Sequence, residues 1–76
     1  MTIHIDARRL LCPMPVIRLQ DAINDATVGD IVEIVCTDPG VKNDIPAWCN
    51  INKHSVLDIK EQDYEIIINV RKDNND

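Results

Sequence analysis

The chain has 76 residues, three cysteines and a formal net charge of −5. That length makes one small domain, residues 1–76, with too little core to enclose a large multi-part catalytic site, so a site at the surface or one completed by a partner is expected. The acidic balance argues against autonomous nucleic-acid binding, and no apolar stretch approaches the ~20 residues of a membrane span. The odd cysteine count, with no basic region and apolar run in Met1-Thr2-Ile3-His4-Ile5-Asp6, predicts reduced thiols in the cytoplasm.

Twelve Ile and seven Val against four Leu favour sheet, because β-branched side chains suit a pleated surface. Residues 2–6 alternate, with Ile3 and Ile5 on one side and His4 and Asp6 on the other, which predicts a short strand. Residues 13–26 have a helical period in Val16, Leu19, Ala22, Ile23 and Ala26, and Pro13 suits a first helical turn. Thr27-Val28-Gly29-Asp30 ends this helix, and the apolar run 31–36 is a central strand. Asp38-Pro39 reads as a cap and first helical residue for a second helix carrying Val41, Ile45, Trp48 and Cys49. Pro46 must kink that helix or start a fresh segment, capped by Asp44. Residues 54–60 form a strand with Leu57 and Ile59 inward, 61–63 a turn, and 64–71 a strand with Ile66, Ile68 and Val70 inward. Residues 72–76 read as a solvated tail. The order βαβαββ predicts an α/β two-layer sandwich, a mixed four-stranded sheet with both helices on one face.

Cys12-Pro13-Met14-Pro15 stands out. With Cys12 as cap of the first helix, Pro15 has no amide to offer, so Met14 N–H is expected to point at the sulfur. Pro13 and Pro15 fix φ and hold the turn rigid. The helix N-terminus and the charges of Arg8, Arg9 and Arg18 all favour a nucleophilic thiolate at Cys12. The bland alternative is a tolerated cysteine cap before a proline. Cys36 and Cys49 fall on inward positions and read as packing thiols. Trp48 reads as core, with a partner-facing anchor as its alternative. His54 reads as a surface or capping residue, and Met14 between two prolines as exposed, suited to an adaptable docking surface. His4 and His54 with the cysteines match no zinc spacing, so neither metal nor cofactor is expected.

The stretch Asp6-Ala7-Arg8-Arg9-Leu10-Leu11-Cys12-Pro13-Met14-Pro15-Val16 resembles the signature of the TusA/SirA-like sulfur carriers. Cys36-Thr37-Asp38-Pro39 and Asp44-Ile45-Pro46-Ala47-Trp48-Cys49, followed by His54, extend the resemblance over nearly the whole chain. It implies the same βαβαββ fold and a persulfide on the cysteine matching Cys12. A cysteine desulfurase would load that sulfur, and an acceptor protein with a reactive cysteine would take it, in one branch toward 2-thiouridine in tRNA. Other branches serve molybdenum-cofactor synthesis or sulfur oxidation. The chain would then be a sulfurtransferase-type carrier rather than a self-sufficient enzyme, with Pro13, Met14, Pro15, Arg8 and Arg18 supporting Cys12. One departure stands out: the family's glycine three residues before the cysteine is Arg9 here. Glycine serves where φ is positive or backbone approaches closely, so Arg9 is expected to alter this loop or add charge to a docking surface. Three competing readings are a non-catalytic interaction or regulatory domain, a thiol-redox protein pairing Cys12 with Cys36 or Cys49, and, by analogy of shape alone, an RNA-binding domain.

Overall fold

The computed structural model describes residues 1–74. Six elements follow in the order β1 (Thr2–Ala7), α1 (Met14–Asp25), β2 (Ile31–Cys36), α2 (Val41–Asn52), β3 (Ser55–Gln62) and β4 (Glu65–Arg71). The four strands make one mixed sheet in the spatial order β1-β2-β4-β3. β1 and β2 pair in parallel, Thr2 opposite Ile31 through Ala7 opposite Cys36. β4 inserts antiparallel between β2 and β3, with Ile34 opposite Ile68.

Alternation along the strands builds a single core. Ile5 and Ala7, Val32, Ile34 and Cys36, and Ile66, Ile68 and Val70 are buried on one face, against Leu19 and Ile23 of α1 and Val41, Ile45 and Cys49 of α2. Two helices cover only this face, as the element order predicts. On α1 the buried stripe is Pro15, Leu19 and Ile23, with Val16 and Ala22 flanking it.

Four local expectations are corrected. Pro46 starts no new segment. It sits inside a single helix, close enough to the N-terminus that its missing N–H removes only the bond to Lys42 C=O. Leu57 and Ile59 are 43% and 40% exposed. A bulge between Val56 and Asp58 gives Val56 the inward place opposite Val70, and Ile59 pairs with Ile68 on this edge strand. The hairpin turn is Asp63-Tyr64 rather than 61–63, with φ of 52° and 67° and Gln62 paired to Glu65. Two positive φ values are what a two-residue turn between twisted strands requires.

Lys72, expected in a tail, is buried. Its Nζ donates to Ala26 C=O at 2.7 Å, where the C-terminal end of α1 favours a cation, and its backbone bonds Gly29 and Asp30. Asp73 is likewise held, by Arg71 and His54. Residues 75–76 of the expected tail lie outside the described residues.

Candidate functional site

Parallel pairing of β1 and β2 brings their C-terminal ends, Ala7 and Cys36, side by side. Two loops leave from there, and polar bonds tie them together. Arg9 N–H donates to Thr37 Oγ1 at 2.9 Å, and Cys12 N–H donates to Asp38 Oδ2 at 2.8 Å. The second oxygen of Asp38 accepts Gly40 N–H at 3.0 Å, so the carboxylate joins the Cys12 loop to the start of α2. Arg9 has φ 69°, the left-handed region that glycine takes without steric cost. The loop therefore keeps a backbone shape suited to glycine while carrying an arginine.

Cys12 is half-buried at the rim of the sheet, and its chain neighbours Leu11, Met14 and Ile17 are 73%, 45% and 41% exposed. The exposure of Met14 agrees with the sequence reading. The peptide bond between Cys12 and Pro13 is cis. Cys12 is not the cap of α1, however. Pro13 takes that place, without a side-chain cap bond. Met14 N–H donates to Leu11 C=O at 2.9 Å, so its amide does not serve the sulfur. Pro15 is buried at the start of α1 and anchors the turn from below.

The sulfur faces α2 instead. A Cβ on Gly40 would lie 3.4 Å from Cys12 Sγ and 3.4 Å from Asp38 Oδ1, so sulfur, carboxylate and helix start meet at that glycine. The Cys12 thiol is pushed up to about 12, first by its hydrogen bond to Asp44, then by burial, then by Asp38. Negative charge beside a thiol opposes ionisation. The arginines do not offset this. Arg8 forks onto Asp6 with two 2.9 Å bonds and reaches Glu65 at 3.3 Å, and it holds the Asp6 carboxyl well below the usual range. The charge of Arg18 also acts on Asp6. The expectation that Arg8 and Arg18 draw Cys12 toward thiolate is thus corrected: in the free chain the immediate surroundings of the sulfur are acidic. Asp38 and Asp44 are the residues sequence reasoning missed. Both stood in the motifs, but each reads from sequence as a helix cap.

Cys36 and Cys49 are free and buried, and burial pushes each up to about 11. Trp48 lies half-buried against the core and stacks on His54, with ring centroids 5.6 Å apart. Burial lowers His54, whose Nδ1 accepts Asp73 N–H at 3.2 Å. His4 lies elsewhere, bonded to Glu33 at 3.0 Å. Among the described residues no three His, Cys, Asp or Glu side chains are grouped to hold a metal ion, and no helix is long and apolar enough to cross a membrane.

Comparison with known proteins bears on this arrangement. Residues 3–72 match the family model described as sulfurtransferase TusA. A putative sulfur carrier protein, YrkI of Bacillus subtilis, is 43% identical over 54 residues, covering 71% of this chain and 72% of that one. The sulfur carrier protein TusA of Pseudomonas fluorescens is 35% identical over 68 residues, covering 90% of this chain and 82% of its own. The crystal structure of a SirA-like protein from Desulfitobacterium hafniense superimposes with a TM-score of 0.83, covering 97% of this chain and 100% of that one at 21% identity. That last likeness is one of fold.

Proposed function

Because the chain belongs to the TusA family of sulfur carriers, we propose that Cys12 bears the sulfur, as a persulfide loaded by a cysteine desulfurase in the cytoplasm and handed to a reactive cysteine on an acceptor protein. The observation that carries this reading is the contrast among the thiols. Cys36 and Cys49 are no more than 1% exposed, whereas Cys12 is only half-buried, in the loop that leaves the end of the sheet. Thiol exchange requires a collinear approach to the sulfur, which two of the three thiols do not allow. The Cys12 sulfur attacks the outer sulfur of the donor's persulfide. The donor's S–S bond breaks, a new S–S bond forms on Cys12, and the proton of Cys12 ends on the released donor thiol. The second transfer repeats the step with the acceptor's thiol. One S–S bond replaces another, so no external oxidant or reductant is consumed. Wobble-position 2-thiouridine in tRNA is the destination we favour, with the acceptor rather than this acidic chain contacting RNA.

Pro13 and Pro15 stiffen the Cys12 turn. Exposed Met14, with Leu11, supplies adaptable apolar contact to a docked partner. Arg8 and Arg18 act at the neighbouring Asp6 and Glu65 edge, where they suit contact with acidic partner surface. Incubation with a desulfurase and cysteine should add one sulfur, about 32 Da by intact mass, to the wild-type chain. Loading that survives in Cys12→Ser would overturn the assignment. One observation favours the second reading, a docking domain without relay: the acidic neighbours oppose a thiolate. That reading predicts a wild-type chain that binds its partners yet gains no sulfur.

A further inference from the structure

Three features outside the loaded sulfur itself merit attention: the groove between Asp6, Arg9 and Arg18, the open face of the sheet, and the carboxylates against Cys12. We propose that Asp38, together with Asp44, is a specificity-determining residue of sulfur transfer: the negative charge that the two carboxylates place at the Cys12 sulfur makes its exchange depend on positive charge around the sulfur that approaches. This rests on the reading of Cys12 as the sulfur-bearing residue.

The geometry is specific. Asp38 cannot turn away, because its two oxygens are committed to Cys12 N–H at 2.8 Å and Gly40 N–H at 3.0 Å. Gly40 leaves the sulfur and the Asp38 carboxylate in contact distance of one point, with no side chain between them. Asp44 stands solvent-exposed on the first turn of α2, its N–H donating to Gly40 C=O at 3.0 Å, so it lies one turn beyond the glycine that faces the sulfur. Two cations of these elements are engaged elsewhere, Arg8 with Asp6 and Glu65 and Lys42 with Glu61 at 2.8 Å. Among the described residues neither Asp38 nor Asp44 stands in an ion pair. Against these charges stands the start of α2, whose partial positive charge favours an anion but falls off within a turn. Two full negative charges beside a half-exposed sulfur therefore dominate in the free chain. A thiol in that setting reacts slowly with whatever diffuses past, and a negatively charged electrophile is repelled as well. An approaching sulfur flanked by positive charge meets attraction, and its charge offsets the carboxylates so that the proton can leave.

The test uses thiol–disulfide exchange on the full chain with three symmetrical disulfides: cystamine, cationic; hydroxyethyl disulfide, neutral; and 3,3′-dithiodipropionate, anionic. Each forms a mixed disulfide with Cys12 and releases one small thiol, which reports the rate. Wild type should favour cystamine over dithiodipropionate by about tenfold or more after correction for the same ratio with free cysteine. In Asp44→Asn that ratio should fall several-fold, and alkylation by iodoacetamide at pH 8 should rise, since removing a negative charge beside the sulfur favours the thiolate. Asp44→Glu, which keeps the charge, should stay near wild type, and it separates loss of charge from loss of fold. A wild-type ratio near one, or an unchanged ratio in Asp44→Asn, overturns the proposal. Sulfur loading by the desulfurase is measured beside it. Normal loading without charge selectivity removes this inference alone. Charge selectivity without loading removes the carrier reading and leaves the electrostatics of Cys12 intact.

Discussion

The rim that holds Cys12 and the core that holds Cys36 and Cys49 resist thiol ionisation for different reasons. In the core, burial comes first, alone at Cys49 and with a lesser contribution from Asp38 at Cys36. At the rim, the hydrogen bond to Asp44 comes first and burial second. A shift caused by burial belongs to the fold. A shift caused by exposed carboxylates belongs to whatever stands beside them, and it changes when a partner docks. One small domain can thus keep two thiols permanently inert and a third conditionally so. That is the behaviour a carrier requires, because its sulfur must survive transit and still react on arrival.

Cutting into the core separates the two regions most strongly. Ile68 is fully buried, centred between Ile34 and Ile59 in the sheet. Ile68→Ala should cost about 2–5 kcal/mol, which for so small a domain approaches the whole of its stability. Cys12→Ser, at the rim, should move stability by less than about 0.5 kcal/mol. Urea denaturation of the two variants checks this, and similar losses would mean that the rim is part of the core after all.

Alkaline pH gives the next effect. Cys36 and Cys49 rise from 9.0 to about 11 on folding. A raised pKa means the folded chain holds its proton more tightly than the unfolded chain. The associated stability is complete below pH 9 and is lost as pH climbs toward 11. Each thiol contributes about 2–3 kcal/mol to that alkaline limb. Chemical denaturation between pH 8 and pH 10.5 should show the decline, and Cys36→Ala or Cys49→Ala should flatten its slope even while lowering the plateau. A slope that stays the same in both variants would assign the decline to other groups.

Salt distinguishes the two regions more gently. Mobile ions screen exposed charges and barely reach buried ones. Raising ionic strength from about 0.01 M to 1 M should speed iodoacetamide reaction at Cys12 by about two- to fivefold, relative to free cysteine. Alkylation of Cys36 and Cys49, which needs the chain to open, should not accelerate. If Cys12 is equally indifferent to salt, burial rather than Asp44 governs it.

How much of this was legible follows from the range of each interaction. Alternation in Ile66, Ile68 and Val70 and the helical period of 13–26 are local patterns, and they place β4 and α1 (Met14–Asp25) to within a residue or so. The hairpin turn cannot be placed from the pattern because Asp63-Tyr64 lacks the glycine that usually marks two positive φ values. The bulge at Leu57 leaves no mark on the pattern of apolar residues. Lys72 looks like a tail residue because its partner, Ala26 C=O, lies 46 positions away. The candidate site divides in the same manner. Cys12 and its prolines are contiguous and could be picked out directly. Asp38, 26 positions on, joins them only through the parallel pairing of β1 and β2, and Asp44 arrives with α2 behind it. Sequence proximity suggested that arginines would set the charge at Cys12; the pairing of strands replaced them with carboxylates.

The smallest effect concerns the backbone of the rim itself. Arg9 holds φ 69° between β1 and Cys12, and its N–H is fixed to Thr37 Oγ1. A left-handed conformation costs a residue with a Cβ about 1–2 kcal/mol, and glycine gives back about 0.5–1 kcal/mol through its greater unfolded freedom. Arg9→Gly should therefore stabilise the chain by about 0.5–1 kcal/mol, read as a higher urea midpoint at constant slope. The bond to Thr37 is made by the backbone and is retained, so the rate of Cys12 alkylation should hold within about twofold, since Arg9 is not among the groups that set its charge. A lower midpoint would show that the arginine side chain holds the loop. A large change in Cys12 reactivity would show that its charge reaches the sulfur, and the rim would then be poised between arginine and carboxylate rather than governed by Asp44.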